Sequence, residues 1–218
     1  MLTYTVDDMF AGTPAYTHRL IVAEHKARTV RRYHSMRLPG ALHCPALAGA
    51  QHTKAMKRKP LPFGADVALA QRDYRRDALR SSALLSSQIL IYEEALHRIR
   101  RAYGIDLMWR QLDFLTDAIE GHMEWCDEAT EIRIVPREAS VDSMPSELTI
   151  LTFDGTAGEQ DFVYFELDFG PHGVHDALYL TSQDARDDAG ATLDELAAHA
   201  LDYDGTLARI ETIRDSLR

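Results

Sequence analysis

The sequence predicts an α/β (α+β) fold in which a mixed sheet of about five strands is covered by helices. Helical periodicity dominates residues 15–84, strand-like runs dominate 131–180, and a βα unit lies between them. An amphipathic segment then closes the chain as a long C-terminal helix.

Leu20, Ala23, Ala27, Val30 and His34 recur at helical spacing with basic residues between them, so the first helix is predicted from Ala15 to Met36, stopped by Pro39-Gly40. A short helix follows from Pro45 to Met56, before the prolines at 60 and 62 hold the backbone extended. Asp66 to Leu84 reads as a helix with Val67, Ala70, Tyr74 and Ala78 on one side and Arg72, Arg75, Arg76 and Arg80 elsewhere. The β-branched and aromatic run Gln88 to Tyr92 is a strand, and Asp106 to about Trp125 a helix. Glu131–Pro136, Leu148–Phe153, Asp161–Phe169 and Val174–Leu180 complete the five strands. From Thr192 to Leu217, Leu193, Leu196, Ala200, Tyr203, Leu207, Ile210 and Leu217 run in near-heptad register, as a core-facing helix or a homodimer seam. No repeat or linker interrupts the chain, so residues 1–218 are expected to be one domain.

Its 218 residues are 45% hydrophobic, enough for a core without staples. No apolar run is long enough to span a bilayer, and Cys44 and Cys126 form neither a disulfide framework nor a CxxC pair; a cytoplasmic protein with free thiols is expected. The net charge of −10 is unevenly placed. Residues 1–101 hold 17 Lys and Arg against 8 Asp and Glu (+9), and residues 102–218 hold 7 against 26 (−19). Either the basic helical part grips phosphates, tRNA for instance, or the acidic strand-rich part neutralises it within the fold.

The stretch Val30-Arg-Arg-Tyr-His-Ser-Met-Arg-Leu-Pro-Gly-Ala-Leu42 carries an Ile-Arg-x-Tyr-like end running into an apolar Pro-Gly turn. With Ala70–Arg76, Tyr92–Leu96, Trp109–Leu112, Ile132–Pro136 and Val163–Glu166 in the same order, it resembles the C-terminal, non-DNA-binding domain of actinobacterial antitoxin-like Xre-family transcriptional regulators. The resemblance covers about His18 to Leu217 and implies a regulatory role, with a small-molecule ligand or small protein partner. In those relatives a helix-turn-helix comes first. Only seventeen residues precede His18 here, so no specific duplex DNA binding is expected. Two local departures stand out: His43-Cys44 replaces the usual Gln-Thr, and Asp142-Ser-Met-Pro-Ser146 replaces a Gly-rich turn.

Imidazole beside thiol makes Cys44 and His43 a candidate nucleophile and base, although sequence neighbours rarely face each other and Cys44 can equally be a buried structural thiol. His18, His122 or His172 are the alternative partners. Glu93, Tyr164 and Glu166 match the family's own Glu and Tyr-x-Glu positions on two predicted strands. By period-2 alternation Tyr164 and Glu166 share a face, toward a cleft or toward water. If a cleft, Glu93, Tyr164 and Glu166 bind an amine-bearing ligand, with Glu166 available for acid–base work and His43 and Cys44 at the rim. His122 and Cys126 stand four apart but lack a second pair, so no metal site is assigned, and no fingerprint names a cofactor. His172 and His175 mark a loop that could flank a site mouth. The sequence therefore leaves two functions open: a regulatory-type ligand- or partner-binding domain, or a repurposed enzyme of specialised metabolism such as an aminoacyl-tRNA-dependent transferase.

Overall fold

A computed structural model describes residue 10 and residues 14–58, 64–126, 128–141, 145–155, 158–168 and 175–218. The His172 loop and most of the 142–146 turn lie outside these residues. The architecture is mixed α+β around one six-stranded sheet in the order β3-β2-β1-β4-β5-β6.

Helix α1 (Ala15–Glu24) is shorter than predicted, because Thr29–His34 forms strand β1 at the centre of the sheet. The helical spacing of Val30 and His34 is outweighed by backbone pairing on both edges, parallel to β2 (Ser86–Tyr92) and antiparallel to β4 (Glu147–Thr152). This is the sixth strand that the sequence reading lacked. A 3-10 turn (Gly40–Leu42) leads into α2 (Pro45–Arg58), with proline at its first position, and α3 (Ala65–Leu79) follows.

Glu93 is not a strand residue. It opens α4 (Glu93–Tyr103), where Glu93 and Glu94 complement the positive helix start and Arg100 and Arg101 the negative end. Gly104, at φ 91, separates α4 from α5 (Ile105–Ile119), a backbone conformation that favours glycine. Strand β3 (Thr130–Val135) pairs parallel to β2, while β5 (Phe162–Asp168) and β6 (His175–Leu180) continue from β4 as an antiparallel meander.

The long C-terminal helix is two helices, α6 (Gln183–His199) and α7 (Tyr203–Asp215). The Leu201 N–H donates to the Ile134 carbonyl, Arg133 binds the Ala200 and Leu201 carbonyls, and Asp202 caps α7 by accepting from the Gly205 N–H. Helix α6 covers one sheet face, where Leu193 and Leu196 meet Tyr33, Leu90, Leu148 and Val163. On the other face α2, α4, α5 and α7 pack on Ile89, Ile91, Ile132 and Ile134, whereas α1 lies over the β4–β5 side. The two halves of the chain neutralise each other in places, as in Lys26–Glu159 and Arg31–Asp194. Among the described residues no helix is long and apolar enough to cross a membrane.

Candidate functional site

Alternation along β1, β4 and β5 puts Arg32, His34, Glu147, Thr149, Tyr164 and Glu166 on one face of the sheet. Register sets His34 beside Glu147, Arg32 beside Thr149 and Thr149 beside Tyr164; just past the end of the β4–β5 pairing, Glu147 interacts with Glu166. His34, Glu147, Tyr164 and Glu166 of this patch form the floor of a cavity of about 1270 Å³. Its walls come from α1 (Thr17, Leu20), the Leu38–His43 segment, α2 (Gln51, Lys54), α3 (Arg72, Arg75) and α4 (Arg98, Tyr103).

Beneath the cavity wall lies a buried ion triad. Glu24 accepts from Arg32 Nη1 at 2.9 Å and from Arg75 Nη2 at 2.6 Å and Nε at 2.9 Å. Glu24 and Arg32 are each 3% exposed. Burial opposes the Glu24 charge, but the two guanidiniums overcome it and hold the carboxyl below its ordinary range. Arg75 therefore faces the cavity from a fixed position.

The two floor carboxyls are hydrogen-bonded to each other. Burial, and then the Glu166 charge, push Glu147 up to about 8, so Glu147 tends to hold its proton at neutral pH. His34 Nδ1 lies 3.6 Å from Glu147 Oε1, and burial followed by nearby Arg32 and Arg75 drives its pKa well down. Tyr164 is buried edge-on to Tyr179, and burial and the two glutamates keep its phenol protonated.

The turn bearing His43 is locked by two side chains from other elements. Gln111 accepts from the Cys44 N–H at 2.9 Å and donates to the Leu42 carbonyl at 2.7 Å. Arg76 donates to the carbonyls of Ala41 and His43 while stacking on Phe114 and Trp125. Arg76 is thus buried, not on an outer helix face. His43 Nε2 bonds the Leu38 carbonyl at 3.0 Å, which makes that nitrogen the donor. Burial, and then Arg72, lower the His43 pKa to about 3, so the ring is neutral and Nδ1 carries a lone pair. Neither His43 Nδ1 nor His34 Nε2 has a hydrogen-bond partner among the described residues.

The structure brings His43, Tyr164 and Glu166 to one cavity and adds His34, Glu147, Arg72 and Arg75, which sequence reasoning missed. A signal for the arginines existed: Arg72 and Arg75 are three apart, hence on one helix face. Cys44, 3% exposed, is absent from the cavity wall; its sulfur accepts from the Leu47 N–H at 3.3 Å within the apolar core. Glu93 is also elsewhere, clamping α4 to α7 and to the segment after β3 through Arg209 (2.8 Å), His97 (3.2 Å) and the Arg137 N–H (3.2 Å). His122 and Cys126 both lie beyond the end of α5: the imidazole is exposed beside Asp117 and Glu120, the thiol buried.

A family profile described as "Domain of unknown function (DUF5753)" matches residues 17–212. No curated protein and no solved structure matches the chain.

Proposed function

Because the chain belongs to the DUF5753 family, we propose that it is a regulatory-type binding domain that holds a small, amine-bearing molecule in the cavity above the β1–β4–β5 floor. One observation carries this reading. His34 and His43, side chains 3% and 5% exposed, both line this cavity, and the buried His34 Nε2 and His43 Nδ1 have no hydrogen-bond partner among the described residues. Buried polar atoms are nearly always satisfied, and the unsatisfied His43 Nδ1 lone pair, in a cavity floored by two carboxyls, calls for a ligand that carries N–H or O–H donors. The resemblance to Xre-type regulator domains supports binding without turnover, in the cytoplasm, where Cys44 and Cys126 stay reduced. A small protein partner is the other form such regulation takes.

Mass spectrometry of the purified protein, intact and then denatured, tests the reading. The wild-type protein releases a stoichiometric small molecule, and Ala55→Trp, which projects bulk from the α2 wall, releases none while melting normally. Equal release from both proteins would remove the cavity from consideration.

The raised Glu147 pKa of about 8 favours one second reading, an enzyme in which the Glu147–Glu166 pair moves a proton for a reacting amine. An aminoacyl-tRNA-dependent transferase fits that chemistry. Wild-type protein would then accelerate loss of the aminoacyl group from charged tRNA in the presence of acceptor amines, and Glu166→Gln would not. No change in deacylation over a panel of charged tRNAs eliminates the transferase.

A further inference from the structure

We propose that Arg72, with Arg98 and Lys54 around the opening, forms an anion subsite in this cavity, so that its ligand is two-ended, with an amine head on the Glu147–Glu166 floor and a carboxylate or phosphate tail on the Arg72 guanidinium. The inference rests on the cavity being a ligand site and adds the ligand's charge pattern.

The arginines that build the buried part of the site have acceptors. Arg32 and Arg75 hold Glu24, and Arg76 holds Asp73 and two carbonyls. Arg72 differs. It is half-buried on α3, it lines the cavity, and its Nε has no acceptor among the described residues. Its charged neighbours are Arg75 and Arg76, and burial together with these two cations lowers its pKa to about 10. A guanidinium desolvated among like charges is unfavourable unless an anion joins it, and a carboxylate or phosphate matches its forked donors.

The groups follow an electrical order. Glu166 meets Glu147, Glu147 meets His34, His34 senses His43, and His43 senses Arg72. Both imidazoles are neutral, so the order runs from the Glu147–Glu166 carboxyls, near which Arg32 and Arg75 are already held by Glu24, to Arg72, which has no such carboxylate, with hydrogen-bonding rings between. Arg98 and Lys54 also line the cavity but are exposed, which puts them at its opening; the Lys54 ammonium rests 5.0 Å from the Tyr103 ring centre. A ligand with only an amine would satisfy the floor and leave Arg72 bare. A purely anionic ligand would satisfy Arg72 and meet repulsion at the floor.

Thermal-shift titration at low ionic strength tests this with γ-aminobutyrate and 3-aminopropyl phosphate as two-ended probes, and butylamine and propyl phosphate as one-ended controls. The two-ended probes bind at least ~10-fold more tightly than either control, the factor expected from one charge-assisted hydrogen bond. Their ratio tells carboxylate from phosphate. Arg72→Ala, which removes an uncompensated cation and should fold normally, reduces them to the level of butylamine; Arg98→Ala, at an exposed position, weakens them less. Equal binding of butylamine and the two-ended probes, or an undiminished advantage in Arg72→Ala, overturns the anion subsite and leaves the cavity as an amine site. No shift with any probe overturns the two-ended ligand, while ligand release in the Ala55→Trp comparison still decides the cavity reading separately.

Discussion

Two halves of the same sheet face are equally buried and chemically opposite. Over β2 and β3, Ile89, Ile91, Ile132 and Ile134 are at most 5% exposed and meet apolar helices. Over β1, β4 and β5, past the apolar Val30, Leu151 and Phe162, the residues Arg32, His34, Thr149 and Tyr164 are at most 3% exposed, and His34 and Tyr164 line a cavity. The boundary runs between two paired strands, where Arg32 adjoins Ile89 and His34 adjoins Ile91. The isoleucine half is stabilised by surface removed from water, whereas every charge in the other half must find a counter-charge, a hydrogen bond or a ligand. Stability is concentrated in one half and unsatisfied chemistry in the other.

The sharpest way to break this contrast is Glu24→Gln. It leaves Arg32 and Arg75 without their carboxylate and should destabilise the fold by about 3–5 kcal/mol in urea denaturation. A loss below ~1 kcal/mol would mean that water reaches the triad and that the polar half is not dry. In the apolar half, Cys44→Ser exchanges a packed sulfur for a hydroxyl and should lower stability by about 1–3 kcal/mol, with cavity binding unchanged. Lost ligand handling at full stability would instead return Cys44 to the site.

The floor carboxyls sharpen the comparison through pH. Glu147 rises from an ordinary 4.5 to about 8 on folding, so the folded chain holds a proton that the unfolded chain releases. Its contribution is complete below pH 4.5 and declines as pH climbs to about 8. Denaturation midpoints measured across that window should fall with pH in the wild type and flatten in Glu147→Gln; an unchanged slope would assign the effect to another group. Glu24, with its lowered pKa, acts oppositely: its contribution is present above the ordinary carboxylate range and is lost in acid. The smallest stability effect is expected from Glu166→Gln, within ~0.5 kcal/mol of wild type, with ligand binding abolished. If that variant unfolds, the carboxylate is a structural anchor.

Local pattern carried the mixed α+β class, five of the six strands, and the shared face of Tyr164 and Glu166, because period-2 alternation and helix boundaries are properties of neighbouring residues. It misread β1 because Leu20 to His34 also satisfies a helical spacing, and only hydrogen bonds to β2 and β4, 57 and more positions away, decide between the two. It read one C-terminal helix where Ile134 and Arg133 hold the chain open at Ala200–Leu201.

The candidate site divides the same way. Residue types identified His43, Tyr164 and Glu166 as chemically able, and Glu93 and Cys44 with them. Which of these share a cavity is a matter of register and packing. Glu93 turns to Arg209 on α7, Cys44 turns into the core, and Glu147 acquires its role because the antiparallel β4–β5 pairing brings it near Glu166, nineteen positions along the chain. A carboxyl's proton affinity depends on what surrounds it within a few ångströms. The sequence by itself determined which side chains could do chemistry; the tertiary structure alone decided which of them stand close enough, and dry enough, to do it together.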